Sequence, residues 1–271
     1  MKSPIIRDSI NPDPRLINLS QKLEKFYATV DNYTAFQAPV DQSYWYCLFD
    51  SSLNELIHHK SPVKILEVGA GKTTFTNYLA GQRSKVEFHA QDITPLNYPY
   101  LSDIADKVWI CDIEKITEQF DLVFSTFVLE HVATPSIFLE QIRNLIKPRG
   151  VHVVICPSYE VPGYICPSLR HMPFAKMLRA HTELLFQRMK SRFDGLPRFC
   201  INTDPAVLHQ AWYRDADAVH CVSEIDVQNW HRRHHFSVKR LGLSGNFFHR
   251  LTRQMFTALE CLKLPNSRLY H

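Results

Sequence analysis

One stretch constrains this chain more than any other: Ile65-Leu66-Glu67-Val68-Gly69-Ala70-Gly71, an apolar run that ends in an acidic residue and two closely spaced glycines. The apolar residues suit a strand buried on both faces of a parallel sheet. The glycines permit positive φ and leave no Cβ to obstruct a ligand approaching the backbone. A helix is expected to begin near Thr73. Together these features describe a strand turning sharply beneath a bound nucleoside.

Two glycine motifs compete for the same residues, and counting separates them. Gly71-Lys72-Thr73 imitates the end of a phosphate-cradling P-loop, but that loop needs a glycine five positions before Gly71, where this chain has Leu66. The dinucleotide pattern G-x-G-x-x-G matches at Gly69 and Gly71 and then fails at Thr74, which weakens a nicotinamide or flavin reading without removing it.

The order of features downstream carries further information. Val86–Ala90 is a second strand ending at Gln91-Asp92-Ile93, which puts a carboxylate where the hydroxyls of a ribose would lie. A third strand, Lys107–Cys111, ends at Asp112-Ile113. A fourth, Phe120–Ser125, precedes Thr126-Phe127-Val128-Leu129-Glu130-His131. A helix over Ile137–Ile146, the turn Lys147-Pro148-Arg149-Gly150 and a strand over Val151–Cys156 follow. This succession, over roughly residues 63 to 158, resembles the class I S-adenosylmethionine-dependent methyltransferases, with their glycine loop, acidic second-strand end, "D-L-V", "L-E-H" and "L-K-P-G-G". The chain departs from the pattern at Thr73, where a third glycine often stands, and at Arg149, which replaces the first glycine of the last turn.

The resemblance implies a Rossmann-like, doubly wound, mostly parallel seven-stranded α/β sheet with an N-terminal helical segment and an inserted helical cap. It also implies S-adenosyl-L-methionine as cofactor and a crevice at the carboxyl ends of the strands. Glu67, Gly69, Ala70, Gly71, Asp92, Ile93, Asp112, Ile113, Ser125 and Thr126 are the expected cofactor-binding residues. Of these, Asp92 would take the ribose, Asp112-Ile113 would flank the adenine and Ile93 would wall the base. For a hydroxyl acceptor His131 is the candidate general base, with a positioning role as the alternative.

The chain divides on this reading into an N-terminal helical segment (1–60), a cofactor-binding core (61–156), a cap (157–215), the final strands of the core (216–245) and an amphipathic C-terminal segment (246–271). Helices are expected from Asp13-Pro14 and again from Ser43 to about His59, flanking a flexible Tyr33–Val40 stretch, with Tyr33 or Tyr44 facing the site. Asp217–Val222 and Phe236–Leu241 read as the sixth and seventh strands. Within the cap, a helix over about Phe174–Phe193 belongs to a run that holds Arg170, His171, Lys176, Arg179, His181, Arg188, Lys190, Arg192 and Arg198. That local excess, in a chain of net charge +4, would attract an anionic acceptor or a membrane surface, or simply be a solvated face.

Seven scattered cysteines with no C-x-x-C pair argue against a disulfide framework or a zinc site. His231, His234 and His235 could share a helix face, but no carboxylate or thiol is patterned with them, and no metal is expected. No apolar stretch of about twenty residues exists to span a bilayer, and the start Met1-Lys2-Ser3-Pro4 lacks the apolar core of a secretory signal, so a cytoplasmic location is expected. Ser125-Thr126-Phe127-Val128 stands where enzymes acting on base amines carry an Asn/Asp-Pro-Pro-aromatic motif, and no RNA-binding module is visible. A small-molecule acceptor follows by elimination, a sugar or natural-product intermediate for example. A non-catalytic binding protein and a nicotinamide-dependent oxidoreductase are the alternatives.

Overall fold

The computed structural model describes residues 4–9, 11–29, 42–211, 213, 215–242 and 255–265 of the 271. In chain order the elements are strand β1 (Ile5–Arg7), helix α1 (Pro14–Thr29), the helical turn α2 (Ser43–Tyr46), α3 (Asp50–His59), β2 (Val63–Val68) and α4 (Phe75–Leu79). Next come β3 (Val86–Asp92), α5 (Tyr98–Ile104), β4 (Lys107–Ile110), β5 (Phe120–Thr126), α6 (Pro135–Leu145) and β6 (Ile146–Pro157). The cap contributes α7 (Phe174–Asp194) and β7 (Cys200–Asn202), and the chain then forms α8 (Glu224–Arg233), β8 (Phe236–Arg240) and β9 (Phe256–Lys263).

Seven strands form one sheet in the order β4-β3-β2-β5-β6-β9-β8. The first five pair in parallel, whereas β9 runs antiparallel to both β6 and β8. Counted from β2, this is the order 3-2-1-4-5-7-6. A dinucleotide-binding sheet has the order 3-2-1-4-5-6, with no antiparallel strand wedged between its last two. Strands β2 and β5 lie at the centre, which is why Ile65, Leu66, Leu122, Val123 and Phe124 are fully buried. One face packs Tyr46, Phe49, Phe75 and Phe88 against the sheet; the other packs Phe120, Leu139, Ile142 and Trp230.

Two strand expectations are corrected. Asp217–Val222 is not a strand of the sheet: its single ladder contact is a bridge from His220 to Ile201. The sixth strand is instead Phe236–Arg240, and the seventh is Phe256–Lys263, inside the segment expected to be a separate amphipathic ending. The alternating burial of Thr257, Leu259 and Cys261 against Glu260 and Leu262 reflects a strand with two differently covered faces. The remainder of the ending's basic pattern, including Arg250 and Arg253, lies outside the described residues.

The cap helix was legible at both ends. Pro173 precedes it, and Gly195, at φ 67°, accepts the left-handed backbone of its C-terminal turn. β1 pairs antiparallel with β7, so the start of the chain is stitched to the cap rather than to the main sheet. The turn before the body of β6 carries Arg149 at φ 60°, the position where the family pattern has glycine. At neighbouring Gly150 a Cβ would meet Ile146 Cγ2 at 2.7 Å and two backbone oxygens within 3.1 Å, so this glycine is required by space.

Candidate active site

The turn after β2 takes its shape from Gly69 and Gly71, with φ of 65° and 53°. Gln91 and Asp92, at the end of the adjacent β3, hold the turn by its amides. Gln91 Oε1 accepts the Gly69 N–H (3.0 Å), while its Nε2 donates to the Cys111 carbonyl (2.7 Å), tying the ends of β2, β3 and β4 together. Asp92 Oδ2 accepts the Gly71 N–H and the Asn97 amide, both at 2.9 Å, and its Oδ1 accepts the Thr94 N–H. Burial raises the pKa of Asp92, and these three donors, with a weaker contribution from the Ile93 backbone, oppose the rise. A carboxylate has about four acceptor positions, so three donors leave room for a hydroxyl.

A crevice opens at this edge of the sheet. A cavity of about 110 Å³ is lined by Tyr27, Gly69, Gly71, Asp92, Ile93 and His131 among others. It shares Ile93, Val128 and His131 with one of about 490 Å³ bounded by Asp112, Ile113, Phe138 and, from α1, Ile17, Leu23 and Glu24. A Cβ on Gly71 would meet nothing within 4 Å, whereas at Gly69 it would strike Val128 Cγ2 at 2.5 Å. The first glycine is thus demanded by packing, and the second leaves open space beside Asp92. Ile93 is 43% exposed, an apolar face presented to the crevice rather than to the core.

Gly69, Gly71, Asp92, Ile93, Asp112, Ile113 and His131 therefore meet in one crevice. Glu67, Ala70, Ser125 and Thr126 do not line it. Ser125 and Thr126 are buried in β5, and Ala70 donates its N–H to the Gln91 carbonyl. Glu67 is buried beneath the turn, where desolvation lifts its carboxyl to about 8 against a bond from Thr73, with the charge of Asp92 adding to the rise. It supports the loop from below.

Residues the sequence did not single out complete the site. Asp217, 1% exposed, lies 3.1 Å from His131 Nδ1 and accepts the Tyr27 hydroxyl at 2.7 Å. Burial acts to lower the pKa of His131, but the charges of Asp217, Glu130 and Asp215 outweigh it and raise the value to about 10. Asp217 is lowered overall, because the histidine and the tyrosine outweigh its own burial. Glu130, buried beside them, is pushed up to about 7 by desolvation. An imidazolium has no lone pair to offer, so a His131 held protonated beside Asp217 would position groups in the crevice, the alternative role expected of it, rather than act as a general base. Phe127, at φ 58°, occupies the left-handed region and packs edge-on against Trp45. It lines the smaller cavity and carries backbone strain at the site.

α1 forms one wall of the crevice, as expected of the N-terminal segment, but through Tyr27. Tyr44 packs instead on Trp45 and is not among the lining residues; Tyr33 lies outside the described residues. The basic cap residues do not converge on the crevice. Arg188 donates to the Cys221 and Val222 carbonyls, Arg198 pairs with Asp194, Lys176 pairs with Asp204, and neither Arg170 nor Arg179 lines either cavity. Of the three histidines considered for metal, His231 is bonded to His152 and the Val227 carbonyl, and His234 stacks on Trp230. His171, Asp204 and His209 do come together, with Lys176 Nζ also 3.4 Å from Asp204.

The family comparison agrees with this geometry. Residues 66–152 match the methyltransferase domain family. Over that segment the core is similar to S-adenosylmethionine-dependent methyltransferase domains. A curated relative of the domain, the tRNA U34 carboxymethyltransferase of Ruthia magnifica subsp. Calyptogena magnifica, is 29% identical over 113 residues. This match covers 37% of the chain and only 36% of the relative's length. Among solved structures, the plantazolicin methyltransferase BpumL in complex with S-adenosylhomocysteine superposes with a TM-score of 0.51 at 11% identity, over 93% of this chain and 91% of that one. The CurJ carbon methyltransferase gives 0.51 at 13% identity, over 91% and 58%. These structural likenesses extend the methyltransferase fold beyond the matched segment to the cap and the last strands. No helix among the described residues is long and apolar enough to cross a membrane.

Proposed function

We propose that the chain binds S-adenosyl-L-methionine in the crevice beside Gly71 and Asp92 and transfers its methyl group to a hydroxyl or amine of a small molecule. One observation carries this reading. Asp92, at the end of β3, is bonded to the Gly71 N–H and retains acceptor capacity beside open space at the carboxyl edge of a sheet ordered 3-2-1-4-5-7-6. Asp92 would hold the ribose hydroxyls, Ile93 and Ile113 the faces of the adenine, Asp112 its edge, and the turn at Gly69–Gly71 the methionine end. The antiparallel β9 and the missing third glycine weigh against a nicotinamide-dependent oxidoreductase.

When bound, the cofactor supplies an already activated methyl group on a good leaving group. What falls to the chain is alignment and the exclusion of water. α1 and Tyr27 cover the crevice, and the His131–Asp217 pair fixes its far side. With His131 cationic, the site favours an acceptor that arrives with its lone pair free, such as an amine or an ionised hydroxyl. The plantazolicin enzyme and the carboxymethyltransferase have acceptors of very different size in their names, so the test must span both. Incubation with methyl-labelled cofactor and separate arms of small amines, phenols, sugars and tRNA should label a small molecule. Label on tRNA alone would refute the small-molecule acceptor, and cofactor binding without transfer in any arm would favour a non-catalytic binding protein.

A further inference from the structure

Helix α7 is amphipathic in the reverse of the usual sense. Its buried residues are Ala180, His181, Leu184, Gln187, Arg188 and Ser191, mostly polar or small. Its exposed face carries Phe174 (71% exposed), Leu178 (50%), Phe186 (51%), Met189 (59%) and Phe193 (86%). At about 100° per residue these five fall within one arc of roughly 120°, the breadth of an apolar stripe that a surface helix ordinarily turns inward. A stripe of large apolar side chains left in water, interrupted only by the exposed Thr182 between Leu178 and Phe186, marks an interaction surface.

The charges along the stripe indicate what it meets. Arg192 lies at one margin of the arc, and Arg179 and Lys190 at the other, by the same helical geometry. None of the three has an ion-pair partner among the described residues, in contrast to Lys60, Lys64, Arg83, Arg143, Lys147 and Arg198. Lys190 Nζ sits 4.4 Å over the Phe186 ring, its stem along apolar surface and its charge at the edge. The acidic groups of the helix are already engaged: Glu183 accepts from Gln187 and Asp194 pairs with Arg198. A second copy docking face to face would oppose cation to cation with no carboxylate between them. A layer of negative headgroups over hydrocarbon matches both the cations and the stripe.

We propose that the exposed face of α7 docks on the surface of an anionic phospholipid bilayer, Phe174, Leu178, Phe186, Met189 and Phe193 entering the acyl boundary and Arg179, Lys190 and Arg192 contacting headgroup phosphates. Docking leaves the cofactor crevice free, because none of these eight residues lines it. The test is co-sedimentation of the full chain with phosphatidylcholine vesicles, with and without phosphatidylglycerol, read beside sedimentation velocity without lipid. The native chain should pellet with the anionic vesicles at least about tenfold more strongly than with neutral ones, and the preference should shrink with salt. Phe186→Ser with Phe193→Ser should reduce binding at least about tenfold. Arg179→Gln with Lys190→Gln and Arg192→Gln should erase the preference for anionic lipid, and both variants should keep the native thermal transition because these side chains are exposed. Failure of the native chain to pellet with anionic vesicles, or equal pelleting of the native and variant chains, would overturn the proposal. So would a concentration-dependent dimer, without vesicle binding, that the two serine substitutions abolish.

Discussion

Gly69→Ala and Gly71→Ala differ in a way that only the crevice geometry explains. Both glycines have positive φ, so an alanine at either costs about 1–2 kcal/mol in the folded state. Part of this, about 0.4–1 kcal/mol, is recovered because alanine narrows the unfolded ensemble. At Gly71 nothing else changes in the protein, and the net loss of stability should be about 1 kcal/mol. At Gly69 the new Cβ would lie 2.5 Å from Val128 Cγ2, and Val128, in the turn after β5, is β-branched and restricted at χ1. Forcing that contact apart adds about 1–3 kcal/mol, for a total of about 2–4. Urea unfolding followed by circular dichroism measures the difference, and Gly69→Ala with Val128→Ala should recover most of the excess. The order should invert in binding: Gly71→Ala puts a methyl into the open space beside Asp92 and should weaken S-adenosylhomocysteine at least tenfold despite its milder effect on stability. Equal stabilities for the two variants would refute the packing argument, and native affinity in Gly71→Ala would refute the placement of the ligand.

Burial raises the Glu67 carboxyl from 4.5 to about 8, so the folded state keeps a proton that the unfolded chain releases, and stability should fall as pH rises from about 4.5 through 8. Glu67→Gln should flatten that part of the profile in thermal melts; an unchanged slope would contradict the burial of an ionisable group beneath the turn. His131, raised from 6.5 to about 10, contributes stability that is complete below 6.5 and lost as pH rises through 10. Imidazole carbon shifts should report it protonated until about pH 10 and, in Asp217→Asn, titrating at least ~2 pH units lower; a native titration near 6.5 would restore it as a base.

What was legible in the sequence was local. The turn residues Gly69 and Gly71 and the strand-end Asp92 and Asp112 each act within a few residues of themselves, so their chemistry shows in the chain. Gln91 stood beside Asp92 and was passed over because nothing in its type announces that it bridges two loops. The His131–Asp217–Tyr27 contact joins residues as much as 190 positions apart, and no spacing rule reaches that far. β9 was misread because Arg250, Arg253 and Lys263 among apolar residues resemble an amphipathic surface segment until β6 and β8 are seen on either side of Phe256–Lys263. Asp217–Val222 looked like a strand because Val219, Cys221 and Val222 are apolar, but they are buried in three separate clusters, Val219 with α1, Cys221 within the cap and Val222 in the main core, instead of by ladder partners. The basic residues of the cap suggested attraction of an anionic acceptor; in three dimensions several are engaged with carboxylates or carbonyls, and none of the others lines the crevice.

The most direct measurement of the central claim is calorimetric titration of S-adenosylhomocysteine into the native chain and into Asp92→Asn, with a nicotinamide dinucleotide as the comparison ligand. Loss of the charged acceptor should cost about 1.5–3 kcal/mol, or roughly ten- to a hundredfold in affinity. The account predicts saturable one-to-one binding to the native chain, that loss in Asp92→Asn, and no heat from the dinucleotide. Absence of binding to the folded native chain, or equal affinity in the two proteins, would contradict it.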